Sequence, residues 1–456
     1  MPLQKNCRRF WWSWGMSEWH QLTFGDIALF KKGINYKSED YADSQYGYPF
    51  ITIKCFIKGG GYQPKGIKFY DGFATASDYL NEGDLLFAVT DLTRAGDIVG
   101  SPLCVPEFGT NKRALASMDC MRIDPFLNLC DKKFLYQKMM LSDVRRQMVA
   151  YSAGSTVLHL DIKKVPYIKI SIPISIAVQQ KIASILTSID TAIEKTEALI
   201  EKYQQIKSGL VHDLFTRGVL PNGQLRPTRE QAPELYQETK IGWIPREWQI
   251  TLCSKVCEKI IDCKNRTPPI EPDGHPVIRT PNVRDGKFVD RDLVYTDAES
   301  YRIWTARGAP VPGDIVITRE APVGEVCIIP DRHPEACLGQ RMMLYRPDNQ
   351  YIDSIYFLYA LQSKQIQTRL DLISGGSTVG HVRVGDIRDL WMILPDSIDE
   401  QRKIGDFLQG ADKKLEKERS FLEKLELKKL GLMQDLLTGK VPVTVSEIAN
   451  QEEAHA

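Results

Sequence analysis

Ser152-Ala153-Gly154-Ser155-Thr156-Val157-Leu158-His159 and Ser374-Gly375-Gly376-Ser377-Thr378-Val379-Gly380-His381 are nearly the same string, 222 residues apart. The offset persists downstream. Residues 172–221 align without a gap on residues 394–443, with 19 identities in 50 positions. They include Pro173/Pro395, Ser175/Ser397, Gln179/Gln401, Lys181/Lys403, Asp190/Asp412, Lys207/Lys429, Gly209/Gly431, Asp213/Asp435 and Thr216/Thr438. Upstream the match loosens through shifted gaps. Glu18-Trp19 answers Glu247-Trp248, Pro49-Phe50-Ile51 resembles Pro276-Val277-Ile278, and Gly83 to Phe87 answers Gly313 to Ile317. Self-similarity at a fixed offset marks a duplicated unit. The order is variable globular unit, helix, variable globular unit, helix.

The aligned segments read as two long helices. Apolar residues fall at Ile182, Leu186, Ile189, Ile193, Ile200, Tyr203, Leu210 and Leu214, with Thr196 and Lys207 at two further seam positions. The second copy has Ile404, Leu408, Ala411, Leu415, Leu422, Leu425, Leu432 and Leu436. Threes and fours that keep one phase make a heptad seam. Pro173 and Pro395 lie just before each helix, where proline is tolerated, and Gly218 and Gly439 mark the exits. At 1.5 Å per residue, residues 175–216 predict a rod of roughly 60 Å. A lone seam needs a partner, and its own repeat is the nearest. An antiparallel intramolecular pair is expected; packing on the adjoining globular unit, or homodimerisation, is the alternative. Five Lys/Arg and five Asp/Glu over residues 175–218 read as solvated faces.

Both globular units read as α+β. Short β-branched or aromatic runs are separated by Gly, Asp and Pro: Pro49–Lys54, Asp84–Val89 and Ile98–Val105 in the first, and Pro276–Arg279, Asp314–Thr318 and Glu325–Ile329 in the second. Each unit closes on an amphipathic helical stretch, Lys132–Tyr151 and Ser354–Ile373. The expected divisions are a tail at 1–15, a first globular domain at 16–170 and a central helix at 171–218. A surface linker at 219–240, a second domain at 241–392, a distal helix at 393–440 and a disordered tail at 441–456 complete the chain. Trp11, Trp12 and Trp14 make the first tail aromatic, and Met16 just ahead of Glu18-Trp19 reads as a natural start.

Composition bounds the function. The chain has 456 residues, 59 Lys+Arg against 58 Asp+Glu, and 43% hydrophobic residues. This is enough for two or three packed cores and gives no global push towards nucleic acid. No apolar run of membrane-spanning length and no secretory leader is present, so a cytoplasmic protein is expected. The ten cysteines include no Cys-x-x-Cys pair, and Cys253, Cys257 and Cys263 lack a histidine at ligand spacing, so reduced thiols and no metal are expected. There is no Gly-x-x-x-x-Gly-Lys-Ser/Thr loop, no Asn/Asp-Pro-Pro-aromatic tetrapeptide of a base methyltransferase and no Gly-x-Ser-x-Gly elbow. Asp396, Asp412 and Lys414 fit a metal nuclease on paper, but a coiled-coil surface is the wrong place for one. A binding or scaffold role is favoured over catalysis.

These features together resemble the DNA-specificity (S) subunit of type I restriction–modification enzymes. Ile241-Gly242-Trp243-Ile244-Pro245-Arg246-Glu247-Trp248 is similar to the segment ahead of that family's second target-recognition domain. The helix starts Ser171 to Ile182 and Ile393 to Ile404, and the Gly-Ser-Thr strings, complete the match from Met16 to about Pro442. The family pattern has a Glu-Gln pair at the helix start; Glu400-Gln401 keeps it and Val178-Gln179 does not. The resemblance implies an α+β tandem duplication, with two α/β target-recognition domains separated by two long helices forming an antiparallel coiled coil. Each domain would read one half of a split, asymmetric site in double-stranded DNA. The helices would set the spacing and dock two modification methyltransferase subunits, and motor-nuclease restriction subunits would join them. The chain would bind no cofactor; S-adenosylmethionine would sit in the methyltransferase partners and ATP and Mg in the motor-nuclease partners. The rival is a non-catalytic coiled-coil scaffold that binds protein partners.

Base edges are read by Arg, Lys, Asn and Gln, and phosphates by Ser, Thr and Lys. Candidate DNA contacts are Arg94, Lys112 and Arg113 in the first unit, and Arg319, Gln340 and Arg341 in the second. Ser155, Thr156, Ser377 and Thr378, in matching glycine loops, are expected either to meet phosphate or to cap a helix-start turn. Lys181 and Lys403, outward beside the seam, are expected at the docking surface for the modification subunits.

Overall fold

The computed structural model describes residues 19–109, 113–375 and 380–445. The chain divides into two compact units, one comprising Met1–Thr196 with Phe421–Ala456 and the other Glu197–Ser420. The division falls inside both long helices, Ile176–Thr216 and Ile398–Leu436, so each helix contributes one half to each unit.

Each unit is built on the same sheets. In the first, a four-stranded antiparallel sheet has the order Ala28–Lys32, Cys120–Pro125, Leu85–Ala88, Pro102–Cys104. In the second, the order is Cys257–Asp262, Met342–Pro347, Ile315–Arg319, Val323–Ile328. Registers agree as well: Leu85 lies opposite Ile123, and Ile315 opposite Tyr345. A mixed three-stranded sheet has Tyr48–Ile51 at its centre in one unit and His275–Ile278 in the other, the two segments that the Pro-led match picked out. A two-stranded ribbon then leads into each helix. Trp19 lies opposite Pro173 in the first, and Trp248 opposite Pro395 in the second. The central strands are buried on both faces, which is why they read as unbroken apolar runs rather than alternating ones.

The helix seam is buried in both units. In the first, Ile182, Ala183 and Leu186 share a core with Met433, Leu436 and Leu437. In the second, Leu214 and Phe215 share one with Ile404 and Leu408. Early residues of one helix meet late residues of the other in each case, so the halves run antiparallel within each unit. Identical residues cap the helices. The Ser175 and Ser397 hydroxyls accept the amides of Val178 and Glu400 at 3.4 and 3.3 Å. Gly218 and Gly439 follow the helix ends at φ 63° and 74°, the left-handed conformation that glycine adopts without a Cβ clash.

Two expectations change. The stretches Lys132–Tyr151 and Ser354–Ile373 are each two helices, Lys132–Met139 with Ser142–Ala150 and Ser354–Gln362 with Lys364–Ile373. Leu141 and Ser363 are extended, and the break re-aims the second helix so that Val144 and Met148, and Ile366 and Leu370, face the core. The linker is also more than a surface connector. Its end, Tyr236–Thr239, pairs as a hairpin with Gly242–Pro245 at the start of the second domain, and it buries Val219, Arg226, Ala232 and Tyr236. Punctuation by Pro and Gly marked the turns but hid the anchors. The aromatic tail at 1–15 and most of the 441–456 tail lie outside the described residues.

Candidate nucleic-acid interface

The identities between repeats converge on one junction, made twice. Asp190 of the first long helix pairs with Lys429 of the second at 2.6 Å, and accepts a hydrogen bond from the Gln137 side-chain amide at 2.7 Å. In the other unit Asp412 pairs with Lys207 at 2.5 Å and accepts from the Tyr359 hydroxyl at 2.7 Å. Each aspartate is therefore held by the opposite helix and by the helix of its own globular fold. Lys207, a gap in the seam by sequence, is an ion-pair position.

Gln179 and Gln401, fully buried, make the second repeated junction. The Gln179 amide donates to the carbonyls of Pro173 at 2.7 Å and Leu129 at 3.0 Å, and its oxygen accepts from the Asp131 amide at 2.8 Å. Gln401 does the same with Pro395 at 2.9 Å, Tyr351 at 3.1 Å and Asp353 at 2.8 Å. Asp131 and Asp353 in turn cap the helices that begin at Lys132 and Ser354. A glutamine supplies both donor and acceptor in one planar group, which this three-way tie requires.

The units part company in the connection that follows the central strand. Its base is the same in both. The Val89 amide donates to Asp119 O and its carbonyl accepts from Leu160; the Arg319 amide donates to Arg341 O and its carbonyl accepts from Val382. Beyond that point the second unit turns back within residues 320–322, whereas the first runs through residues 89–101 before the next strand of the same sheet. In the longer connection Asp91 is fully buried and accepts from the Thr93 amide at 2.7 Å, the Thr93 hydroxyl at 2.8 Å and the Val99 amide at 3.0 Å, and also from the Ile98 amide. Burial pushes its carboxyl up, but these donors outweigh burial and hold it below the ordinary carboxylate value.

In the second unit Glu320 stands between two cation-capable groups. Arg341 Nε lies 3.1 Å from its carboxylate and His381 Nδ1 lies 2.5 Å away. Arg341 adopts φ 73°, a left-handed conformation that costs a side-chain-bearing residue roughly 1 kcal/mol and is retained at sites where geometry matters more than strain. At the equivalent place in the first unit the Thr90 hydroxyl donates to Asp119 at 3.2 Å, and His159 lies opposite Thr90 across the strands. Two structurally matched corners thus carry different donors and acceptors.

The nominated residues separate clearly. Arg94, Arg113, Ser155, Thr156, Gln340 and Lys181 are exposed, and Arg341 is partly so. Lys112, Ser377 and Thr378 lie outside the described residues. Arg319 is placed differently from expectation: it ends its strand, but it is only 7% exposed and donates to Val382 O at 3.3 Å. It supports the corner from within. Lys403 donates to Pro221 O at 2.6 Å, so its ammonium is tied to the linker. Glu320, Asp91 and Arg226 were missed. Asp91-Leu92-Thr93 carried a weak signal, since an Asp side chain commonly caps the backbone two residues on. Among the described residues, no group of three His, Cys, Asp or Glu side chains is placed to hold a metal ion, and no helix is long and apolar enough to cross a membrane.

The family model described as type I restriction modification DNA specificity domain matches twice, over residues 16–204 and 247–427. The chain belongs to this family. Its relatives include the type I restriction enzyme MjaVIII specificity subunit of Methanocaldococcus jannaschii, 23% identical over 436 residues, covering 93% of each chain. The type I restriction enzyme EcoBI specificity subunit of Escherichia coli is 21% identical over 401 residues, covering 85% of this chain and 77% of that one. The S subunit of a type I restriction–modification system from M. genitalium shares the fold, with a TM-score of 0.56, 16% identity and coverage of 94% of this chain and 97% of that one. The doubled family match falls on the two repeats and on the long helix that follows each.

Proposed function

We propose that this chain is the non-catalytic, DNA-reading subunit of a type I restriction–modification assembly, in which each globular repeat reads one half of a bipartite, asymmetric site. The long helices set the distance between the half-sites and offer docking surfaces to two methyltransferase subunits. S-adenosylmethionine chemistry then resides in those partners, and ATP- and Mg-dependent restriction in motor-nuclease subunits. One observation carries the reading. The interhelical ion pairs of Asp190 and Asp412 and the three-way ties of Gln179 and Gln401 recur in both repeats, while the corners at Thr90–Asp119 and Glu320–Arg341 differ in charge and hydrogen-bonding character. A molecule that reads two unlike half-sites needs one scaffold and two faces. Near-zero net charge agrees with local contacts rather than a general basic surface.

The test is co-expression of this chain with the methyltransferase encoded beside it, followed by genome-wide mapping of adenine methylation. A single split motif that disappears when this chain is omitted is the expected result. An intact purified complex that leaves no new methylation would move the reading to a protein-binding scaffold.

A further inference from the structure

The connection Leu92–Asp97 of the first unit has a shape imposed from inside. The buried Asp91 carboxylate gathers the amides at both ends of the loop, those of Thr93, Ile98 and Val99. Arg145, from the helix Ser142–Ala150, donates to Gly96 O at 3.3 Å and Asp97 O at 3.0 Å, and also to the Ser101 hydroxyl. Gly96 and Gly100 sit at φ 69° and 74°, and a Cβ on Gly100 would come within 2.2 Å of Met148 Sδ. A side-chain-bearing residue at either hinge would therefore be strained.

Ile98 and Val99 anchor the exit of the loop against the cores, whereas residues 92–95 are exposed. Leu92 is 64% exposed, and Arg94 is exposed, with no side-chain hydrogen bond or ion pair among the described residues. The Asp91 carboxylate and the Arg145 guanidinium hold the exposed residues between them in one geometry. Fixed geometry around an apolar and a forked cationic side chain is what base-edge recognition requires. An apolar side chain meets the thymine methyl, and arginine donates bidentately to guanine O6 and N7 in the major groove.

We infer that Leu92–Asp97 is the base-reading element of the first unit, with Arg94 reading a guanine, Leu92 a neighbouring thymine methyl, and Asp91 and Arg145 acting as positioning residues. The inference rests on the DNA-reading function proposed above. It places the reading residues on an expanded turn that the second unit lacks.

The test uses the full chain in complex with its methyltransferase, reading the methylated motif base by base for wild type, Arg94→Ala, Leu92→Ala and Asp91→Asn. Arg94→Ala is expected to lower discrimination at one G·C pair about ten- to a hundredfold, and Leu92→Ala to lower it by less at an adjacent A·T pair. Both effects should fall in the same half of the motif, with the other half unchanged. Asp91→Asn should relax that same half while the complex still assembles; if this variant fails to fold, the two exposed-residue variants decide alone. An unchanged motif in Arg94→Ala and Leu92→Ala would overturn the inference. So would a loss spread evenly over all sequences, since that marks a phosphate contact. A wild-type complex without any split motif would instead remove the underlying function, which keeps the two failures apart.

Discussion

The place where each helix pair meets its two-stranded ribbon is built on one plan and held by two different cations. In the first unit Lys138 is 1% exposed, lies 5.8 Å from the Trp19 ring centre and donates to the carbonyl of Leu437 at 2.7 Å. In the second, Arg226 lies 5.9 Å from the equivalent Trp248 ring and holds Glu400 through two hydrogen bonds, with Glu247 at 2.8 Å. Lys138 arrives from the globular fold, Arg226 from the linker. Burial pulls the Arg226 pKa down, but Glu400 and Glu247 more than offset it. This contrast accounts for the departure at Val178. A glutamate at this helix position is useful where an arginine fork reaches it; where the cation seeks a carbonyl, a buried valine fills the space. The same scaffold thus tolerates an exchange of partners as long as each buried charge finds one.

The contrast can be broken from either side. The largest effect is expected for Arg226→Ala, which strands Glu400 in the interior and should cost about 3–5 kcal/mol in chemical denaturation. The paired change Arg226→Leu with Glu400→Val, imitating the first unit, should cost clearly less than Arg226→Ala. Equal losses would mean that packing rather than charge holds this junction.

Gln179→Ala and Gln401→Ala should each cost about 2–3 kcal/mol, because each leaves buried carbonyls and an amide without partners. Their near equality is the point of the measurement. A large inequality would show that the shared hydrogen bonds do not carry shared weight.

Lys138→Met should cost about 1 kcal/mol or less, since its stem is already packed and methionine is apolar and flexible. Its pH signature is sharper. Burial lowers the Lys138 pKa from its ordinary 10.5, with Asp143 opposing in part. Between the lowered and the ordinary value the unfolded chain binds more protons than the folded one, so stability rises as pH rises through that interval. Melting curves taken towards pH 10 should show this rise in wild type and lose it in Lys138→Met. The smallest stability effect belongs to Glu320→Gln, less than about 1 kcal/mol for a partly exposed pair. Its expected mark is a relaxed preference in the half of the motif that Arg94→Ala leaves alone.

Much of the architecture is legible without coordinates. The duplication follows from the 222-residue offset, and the helices from a seam in which every predicted position is buried or half-buried. Capping serines and exit glycines behave as their local chemistry dictates. The candidate interface was legible only in part. Arg94 and Arg341 are candidates by residue type and by a place in a turn or beside a strand end. Nothing in residue type reveals that Arg319 is buried, or that Glu320 joins Arg341 to His381, which lies 61 residues further along the chain.

Periodicity, capping and self-similarity are local properties, so the sequence by itself determined two repeats, two seamed helices and where each begins and ends. Partnership is not local. Lys207 finds Asp412 across 205 residues and Arg226 finds Glu400 across 174. Which charge meets which, and whether a carboxylate is buried with four donors or left in water, depends on how folded elements approach one another. Only the tertiary structure decided that the shared residues tie the helices to the globular folds and that one connection of the matched sheets is lengthened in a single repeat.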